Sequence, residues 1–247
     1  MLTADERERY DRQIMVPEIG EGGQEKLKAA RVLIAGAGGL GSPLALYLAA
    51  AGVGVIRIVD HDRVSLSNLN RQVLHWDSDK GLKKVDSACE KLESLNPLIK
   101  IDGICETIDE SSIKRLIRGI DVVIDAMDNV PTRLVLNKAA VEHQLPFFHG
   151  AVSGFEGRAM TILPGKTACL RCILRGPIPA EKFPVIGVAP AVIGSIQAAE
   201  VIKYIVGAGT LLTDCLLRYD GLTNEFTKFT VRRNPECEHC GQGAGKE

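Results

Sequence analysis

The chain has 247 residues, 45% of them hydrophobic and 25% charged, which excludes a disordered polymer and leaves ample material for a core. Thirty basic residues against thirty-one acidic ones give a net charge of −1, so nothing at whole-molecule level argues for nucleic-acid or membrane binding. The unusual counts are 25 glycines and 7 cysteines.

The N-terminal residues MLTADERERYDRQI lack the apolar core of a signal peptide. The uncharged stretch from Leu33 to Ile56 is long enough to span a bilayer, but six glycines and Ser42-Pro43 divide it into strand, turn, helix and strand. A cytoplasmic chain is expected, in which cysteines stay reduced and CxxC pairs point to metal or redox chemistry.

Thr3-x-x-Glu6 is a capping box, predicting a charged helix over Thr3 to Gln13. A short helix is predicted over Gln24 to Ala30. An apolar strand follows at Arg31 to Ala35, then an Ala/Leu-rich helix at Leu40 to Ala51 ended by Gly52. Next come a strand at Val55 to Asp60, a helix at Lys83 to Leu95, a strand at Lys100 to Cys105 and a helical turn at Ser111 to Arg118. A buried strand at Asp121 to Asp125, a helix at Thr132 to His143 and a strand at Pro146 to His149 complete the alternation. Short apolar strands alternating with helices imply parallel βαβ units and a doubly wound α/β fold of Rossmann type.

After Gly150 the pattern changes. An antiparallel strand is predicted at Gly157 to Leu163, and a helix at Pro190 to Val206 with Pro at its first position. A hairpin is predicted at Cys215 to Tyr219 and Glu225 to Val231 around Asp220-Gly221. Residues 173–189, rich in Pro and Gly, are the expected mobile loop. The whole chain, 1–247, is expected to be a single domain, with 1–150 as its doubly wound part.

The turn Gly36-Ala-Gly38-Gly39-Leu-Gly41 follows a strand and opens a helix, so backbone N–H groups and the helix dipole can meet a phosphate. Asp60 ends the next strand, nineteen residues after Gly41, where a carboxylate can accept from ribose hydroxyls. Taken alone, this set favours a dinucleotide such as NAD. No GxxxxGK[ST] is present, which excludes a P-loop enzyme.

Ser67-Asn68-Leu-Asn-Arg71-Gln and Lys84 fall toward the carboxyl end of the sheet, where ligands bind in such folds. Two cations beside a phosphate cradle suit a triphosphate better than a nicotinamide cofactor. Asp128 follows the fourth strand and can hold Mg²⁺ against phosphate oxygens. Asp125 reads as a buried strand-end cap.

Cys169-Leu-Arg-Cys172 and Cys237-Glu-His-Cys240 are two CxxC knuckles, and four thiolates make a closed structural zinc site. Their separation exceeds that of a zinc ribbon, so a redox-active pair is the alternative. His239 reads as a surface residue. Cys89, Cys105 and Cys215 read as small core residues.

In combination, Glu8-Arg-Tyr-Asp-Arg12-Gln, the glycine turn, Asp60-x-Asp62, Ser67-Asn-Leu-Asn-Arg-Gln72, Lys84, Asp125-x-x-Asp128-Asn129 and the two knuckles occur in that order. In this the chain resembles the MoeB/ThiF/HesA-like adenylyltransferases of ubiquitin-like sulfur-carrier proteins, as in molybdopterin and thiamine biosynthesis. The resemblance covers nearly the whole chain. It implies a mainly parallel sheet extended by antiparallel strands, with 151–247 as a carrier-binding, zinc-pinned part. It also implies a reaction, in which the C-terminal glycine carboxylate of a carrier ending in Gly-Gly attacks the α-phosphate of Mg-ATP, giving an acyl-adenylate and pyrophosphate.

By the same resemblance, Asp128 binds Mg²⁺, Arg71 and Lys84 hold phosphates with help from Asn68, and Asp60 holds the ribose. Gly36, Gly38, Gly39, Gly41, Asp62 and Asn129 border the nucleotide. Arg12 reaches into the site of a second subunit, which implies a homodimer. One departure matters: residues 173–214 contain no cysteine, whereas many relatives carry one in the crossover loop. The enzyme is therefore expected to stop at the acyl-adenylate, with a sulfurtransferase or cysteine desulfurase as separate sulfur donor. The competing readings are an NAD-dependent oxidoreductase and a non-catalytic scaffold.

Overall fold

The computed structural model describes residues 1–174 and 184–241. Nine α-helices and eight strands are assigned among them. The N-terminal region forms α1 (Ala4–Arg9), α2 (Asp11–Ile14) and α3 (Gly20–Ala29). Thr3 and Glu6 form the expected capping box. The single helix expected over Thr3 to Gln13 is instead broken at Tyr10, whose buried ring lies against Gly52 and whose hydroxyl accepts from Asn96 Nδ2 at 2.8 Å. Burying the tyrosine turns the chain there.

The doubly wound half comprises β1 (Arg31–Ala35), α4 (Gly41–Ala50), β2 (Val55–Val59), α5 (Lys84–Leu95), β3 (Lys100–Ile104), α6 (Ile113–Leu116), β4 (Val122–Asp125), α7 (Val130–Glu142) and β5 (Phe147–Ser153). β6 (Glu156–Ile162), α8 (Leu170–Ile173), α9 (Val188–Val206), β7 (Cys215–Asp220) and β8 (Glu225–Thr230) follow. The eight strands form one sheet of order β3-β2-β1-β4-β5-β6-β7-β8. β1 to β5 pair in parallel and β5 to β8 antiparallel.

Strand alternation sorts side chains between two faces. Val32 and Ile34 enter a core under α3, α4, α5 and α9, whereas Leu33 and Ala35 enter a second core under α6, α7 and α8. Among the described residues α9 alone is long and apolar enough to cross a membrane, with a mean hydropathy of 1.3. It packs against α3, α4, β5 and β6 as a core helix.

Four further positions differ from expectation. α7 begins two residues early because Asn129 caps it, accepting from Thr132 N–H at 3.0 Å, and Pro131 fits its first turn. β5 runs on to Ser153 because β6 pairs with its whole length. Pro190 occupies the third position of α9, not the first. The expected loop at 173–189 ends in α9 from Val188, and its central residues 175–183 lie outside the described residues.

Candidate active site and metal centre

β1 delivers the glycine turn to the carboxyl edge of the sheet. Gly36 has φ of 102°, and a Cβ there would stand 2.7 Å from Ala126 O. A Cβ at Gly41 would stand 2.0 Å from Gly36 O, so both glycines are required by the chain's crossing of itself. At Gly39 a Cβ would press on Pro190 Cγ at 3.3 Å, which brings the start of α9 against the turn. No hydrogen bond to a protein acceptor is found for the amides of Gly38, Gly39, Leu40 or Gly41 among the described residues. Four free donors at the start of a helix form a cradle for an anion.

The side chains around this cradle divide clearly. Asp60 Oδ2 accepts from Ala37 N–H and Asp60 Oδ1 from Asp62 N–H, both at 2.8 Å. Lys84, buried at the first position of α5, donates to Asp62 Oδ2 at 2.8 Å and stands 3.9 Å from Asp60. Burial pushes the Asp62 carboxyl upward, but the hydrogen bond and charge of Lys84 outweigh it and the net shift is downward.

Among the described residues Arg71 donates only to Ser67 O at 2.9 Å and Asn70 Oδ1 at 3.0 Å, and no carboxylate there pairs with it. Asn68 Oδ1 accepts from Ser65 N–H at 3.2 Å and closes the turn that carries Arg71. Gln72 lies against Gly38, and its Oε1 is buried without a partner among the described residues. Asp128, between β4 and α7, is exposed and makes no hydrogen bond or ion pair with the described residues. Free amides, two cations, an unbound carboxylate and an orphaned buried amide oxygen together fit Mg-ATP.

Asp60, Asp62, Asn68, Arg71, Asp128 and Asn129, in the connections after β2 and β4, and Lys84, at the start of α5, thus lie at one edge of the sheet. Asn129 spends its side-chain oxygen on capping α7. Arg12 does not join them. It sits exposed on α2, whose neighbouring Gln13 donates to Ala51 O at 3.0 Å, at the far end of α4. A ten-residue helix is about 15 Å long, which separates Arg12 from the cradle of its own chain.

Asp125 is fully buried, as a strand-end cap should be, with Oδ1 accepting from Met127 N–H at 3.0 Å. Its Oδ2 lies 2.6 Å from His149 Nδ1 and 3.6 Å from Arg133 Nε. Burial holds His149 below the usual histidine pKa despite the opposing pull of Asp125. His149, Arg133 and His75 have no signal in the sequence beyond adjacency to quoted motifs, and Gln72 is quoted only as the end of one. Strand register sets Asp125 beside His149.

The two knuckles meet. Cys169 caps the single turn of α8, and its Sγ lies 4.0 Å from that of Cys172 and 3.6 Å from that of Cys237. Cys172 and Cys240 are separated by 3.5 Å. Thiolates bound tetrahedrally at about 2.3 Å stand roughly 3.8 Å apart, so four buried sulfurs, all within 4.8 Å of one another, match a zinc site. These separations are also too long for disulfides, which are about 2.05 Å.

Arg171 and Glu238, one from each knuckle, form an ion pair at 3.0 Å. Buried Asn137 of α7 accepts from Leu170 N–H at 2.9 Å and contacts His239 Nδ1 at 2.7 Å. His239 is therefore half-buried and engaged rather than a free surface residue. Cys105 is exposed, while Cys89 and Cys215 are half-buried, so none of the three is a fully buried core residue. Cys105 ends up outside because the strand stops at Ile104.

With this geometry in place, known proteins can be compared. The ThiF family matches residues 10–239. A sulfur carrier protein adenylyltransferase of Thermus thermophilus is 43% identical over 97% of this chain and 92% of its own. The mouse (Mus musculus) adenylyltransferase and sulfurtransferase MOCS3 is 42% identical over 98% of this chain, which spans 54% of that protein. Among solved structures, Escherichia coli MccB superposes with a TM-score of 0.86 in a complex with MccA-N7isoASN, at 25% identity over 96% of this chain and 75% of that one. Its ATP complex gives 0.84, at 25% identity over 94% of this chain and 74% of that one. None of these relatives is named an oxidoreductase, and the NAD reading has no support from them. Matched over nearly its full length, the chain belongs to the ThiF family.

Proposed function

We propose that this protein catalyses ATP-dependent adenylation of the C-terminal glycine of a ubiquitin-like sulfur-carrier protein. The observation that carries the reading is the cradle of four free amides with Arg71 and Lys84 beside it, in a chain of the adenylyltransferase-bearing ThiF family. The carrier carboxylate and the α-phosphate are both anionic, so the barrier is lowered by positioning and charge neutralisation rather than by covalent catalysis. Arg71 and Lys84 neutralise phosphate oxygens, Asp60 orients the ribose, and pyrophosphate leaves in line. Asp128 would hold Mg²⁺, which adds further charge neutralisation when bound.

The four-cysteine cluster takes Zn²⁺ in a structural role, tying the chain near residue 170 to its C-terminal segment. A reducing cytoplasm keeps those thiolates available. The carrier docks on the part formed by residues 151–247, where β8 is exposed along its whole length and presents Phe226 and Phe229. Arg12 completes the site of a second copy, which makes the enzyme a homodimer and accounts for its distance from its own cradle. Without a cysteine at 173–214, turnover stops at the acyl-adenylate, and a separate sulfur donor, a sulfurtransferase or cysteine desulfurase, supplies the next nucleophile. The pathway is of molybdopterin or thiamine type.

Carrier-dependent ATP–pyrophosphate exchange, run against each small Gly-Gly-ending protein of the same genome, tests the reading. Exchange with at least one carrier is expected, with no carrier–enzyme adduct sensitive to dithiothreitol. Tight NAD binding with no ATP binding overturns the activity, and a dithiothreitol-sensitive adduct overturns the stop at the adenylate.

A further inference from the structure

Ala37, the residue before the free amides, is held at both its N–H and its C=O. Ala37 N–H donates to Asp60 Oδ2 at 2.8 Å, and Ala37 O lies 2.8 Å from His75 Nε2. A carbonyl can only accept, so the Nε2 atom carries the proton. The peptide between Ala37 and Gly38 is planar and trans, so its C=O and N–H point in opposite directions. Fixing the Ala37 carbonyl therefore aims the Gly38 N–H, the first of the four free donors.

His75 is itself locked. It is buried, and its Nδ1 lies 2.8 Å from Ser87 Oγ. Ser87 and Lys91 both reach Asp79 Oδ2, at 2.9 and 2.6 Å, and Lys91 also donates to Ser87 Oγ at 3.0 Å. Ser87 Oγ donates its one proton to Asp79 Oδ2 and accepts from Lys91, and this chain of contacts holds the Nδ1 edge of the ring against Ser87. Lys84, Lys91, Asp60 and Asp79 are the charged groups around this ring, and burial lowers its pKa below the usual histidine range.

We propose that His75 is a positioning residue for the nucleotide: it holds the Ala37 carbonyl so that the Gly38 amide faces the phosphate, and the Ser87–Asp79–Lys91 relay braces its ring. This rests on the ATP reading of the site. A looser turn costs affinity through the donors it misaligns, so the effect falls on ATP binding and on the turn itself.

The test compares His75→Phe, which fills the space without a donor, with His75→Gln, whose carboxamide N–H can reach the same carbonyl. ATP dissociation constants are measured with Mg²⁺ by calorimetry, and amide exchange is followed at Ala37. His75→Phe should weaken ATP by about tenfold and speed exchange at Ala37 while leaving α7 and the knuckles unchanged. His75→Gln should restore ATP affinity to within about threefold. A folded His75→Phe that binds ATP within twofold of the parent, or a Gln variant as weak as Phe, overturns the proposal. If His75→Phe does not fold, Ser87→Ala decides: about threefold weaker binding supports the relay, and unchanged binding overturns it. Failure of the unmodified protein to bind ATP at millimolar concentration would sink the ATP reading instead, leaving exchange at Ala37 to test the clamp.

Discussion

Lys84 Nζ stands 2.8 Å from Asp62 Oδ2, so the cation assigned to a phosphate is held by a carboxylate in the free protein. Lys84 is buried while the Asp62 side chain is 52% exposed, and the lysine is thus the fixed member of the pair. A nucleotide phosphate can take over the lysine while water solvates Asp62. Lys84→Ala should lower ATP–pyrophosphate exchange at least ~100-fold, the scale of losing one preorganised charge. Asp62→Asn should retain activity within about tenfold. Equal losses in both variants, measured at saturating carrier, would show that the pair acts as one unit and that Lys84 has no separate phosphate role.

Asp128 gives a cleaner separation of activity from stability, because it is exposed and bonded to nothing described. Asp128→Ala should cut exchange at least ~100-fold and leave the melting temperature essentially unchanged. Near-normal turnover across a Mg²⁺ titration would refute the metal role.

The parallel half of the fold was legible because its strands are continuous apolar runs bounded by glycines. β1 matches expectation to the residue, and β2, β3 and β4 to within one residue at either end. Boundaries failed where tertiary contacts decide them: at Tyr10, which turns to bury its ring, and at β5, whose second half exists only because β6 lies beside it. The site residues that motifs place on loops were readable, since glycine turns and strand-end acids carry local signals. His75 and His149 were not, because each acts through a partner set by long-range packing: Ala37 across the turn and Asp125 across a strand pair. The half-burial of Cys89 and Cys215 was equally beyond local pattern.

The cysteine geometry predicts one zinc per chain. Metal analysis after gel filtration should find it, and Cys237→Ser should lose it together with several degrees of melting temperature. In the native protein an aromatic disulfide reagent should titrate Cys105 first, because it is exposed. Cys89 should lag, since burial pushes its thiol up to about 11 and little thiolate forms at neutral pH. Fast titration of four or more thiols in metal-loaded protein would contradict a closed four-thiolate site.

Arg12 tests the subunit arrangement. Arg12→Ala and Asp128→Ala should each be nearly inactive alone, because each lacks one part of every site. In mixed dimers one site receives both defects and the other neither, so activity should return to as much as half of normal per heterodimer. Differently tagged subunits and tandem purification supply that species. No recovery in verified heterodimers would place Arg12 outside the partner's site.

The buried histidines set the acid limb of stability. Burial lowers the folded-state pKa of His75 and of His149, whereas the unfolded chain takes up its protons near the ordinary value of about 6.5. Below that pH the unfolded state binds more protons than the folded one, so unfolding becomes easier as pH falls. Asp79 has its carboxyl lowered because the hydrogen bonds of Lys91, Trp76 N–H and Ser87 overcome the opposing effect of burial. Its contribution persists below pH 6 and is lost only in the carboxylate range, about pH 4 and lower. Urea midpoints should therefore hold from pH 8 to 7, decline from about pH 6.5 to 5, and fall steeply below 4. His75→Gln removes one of these titrations and should flatten the middle limb. A midpoint that stays constant between pH 6.5 and 5, or a slope unchanged in His75→Gln, would show that these imidazoles are protonated in place without cost.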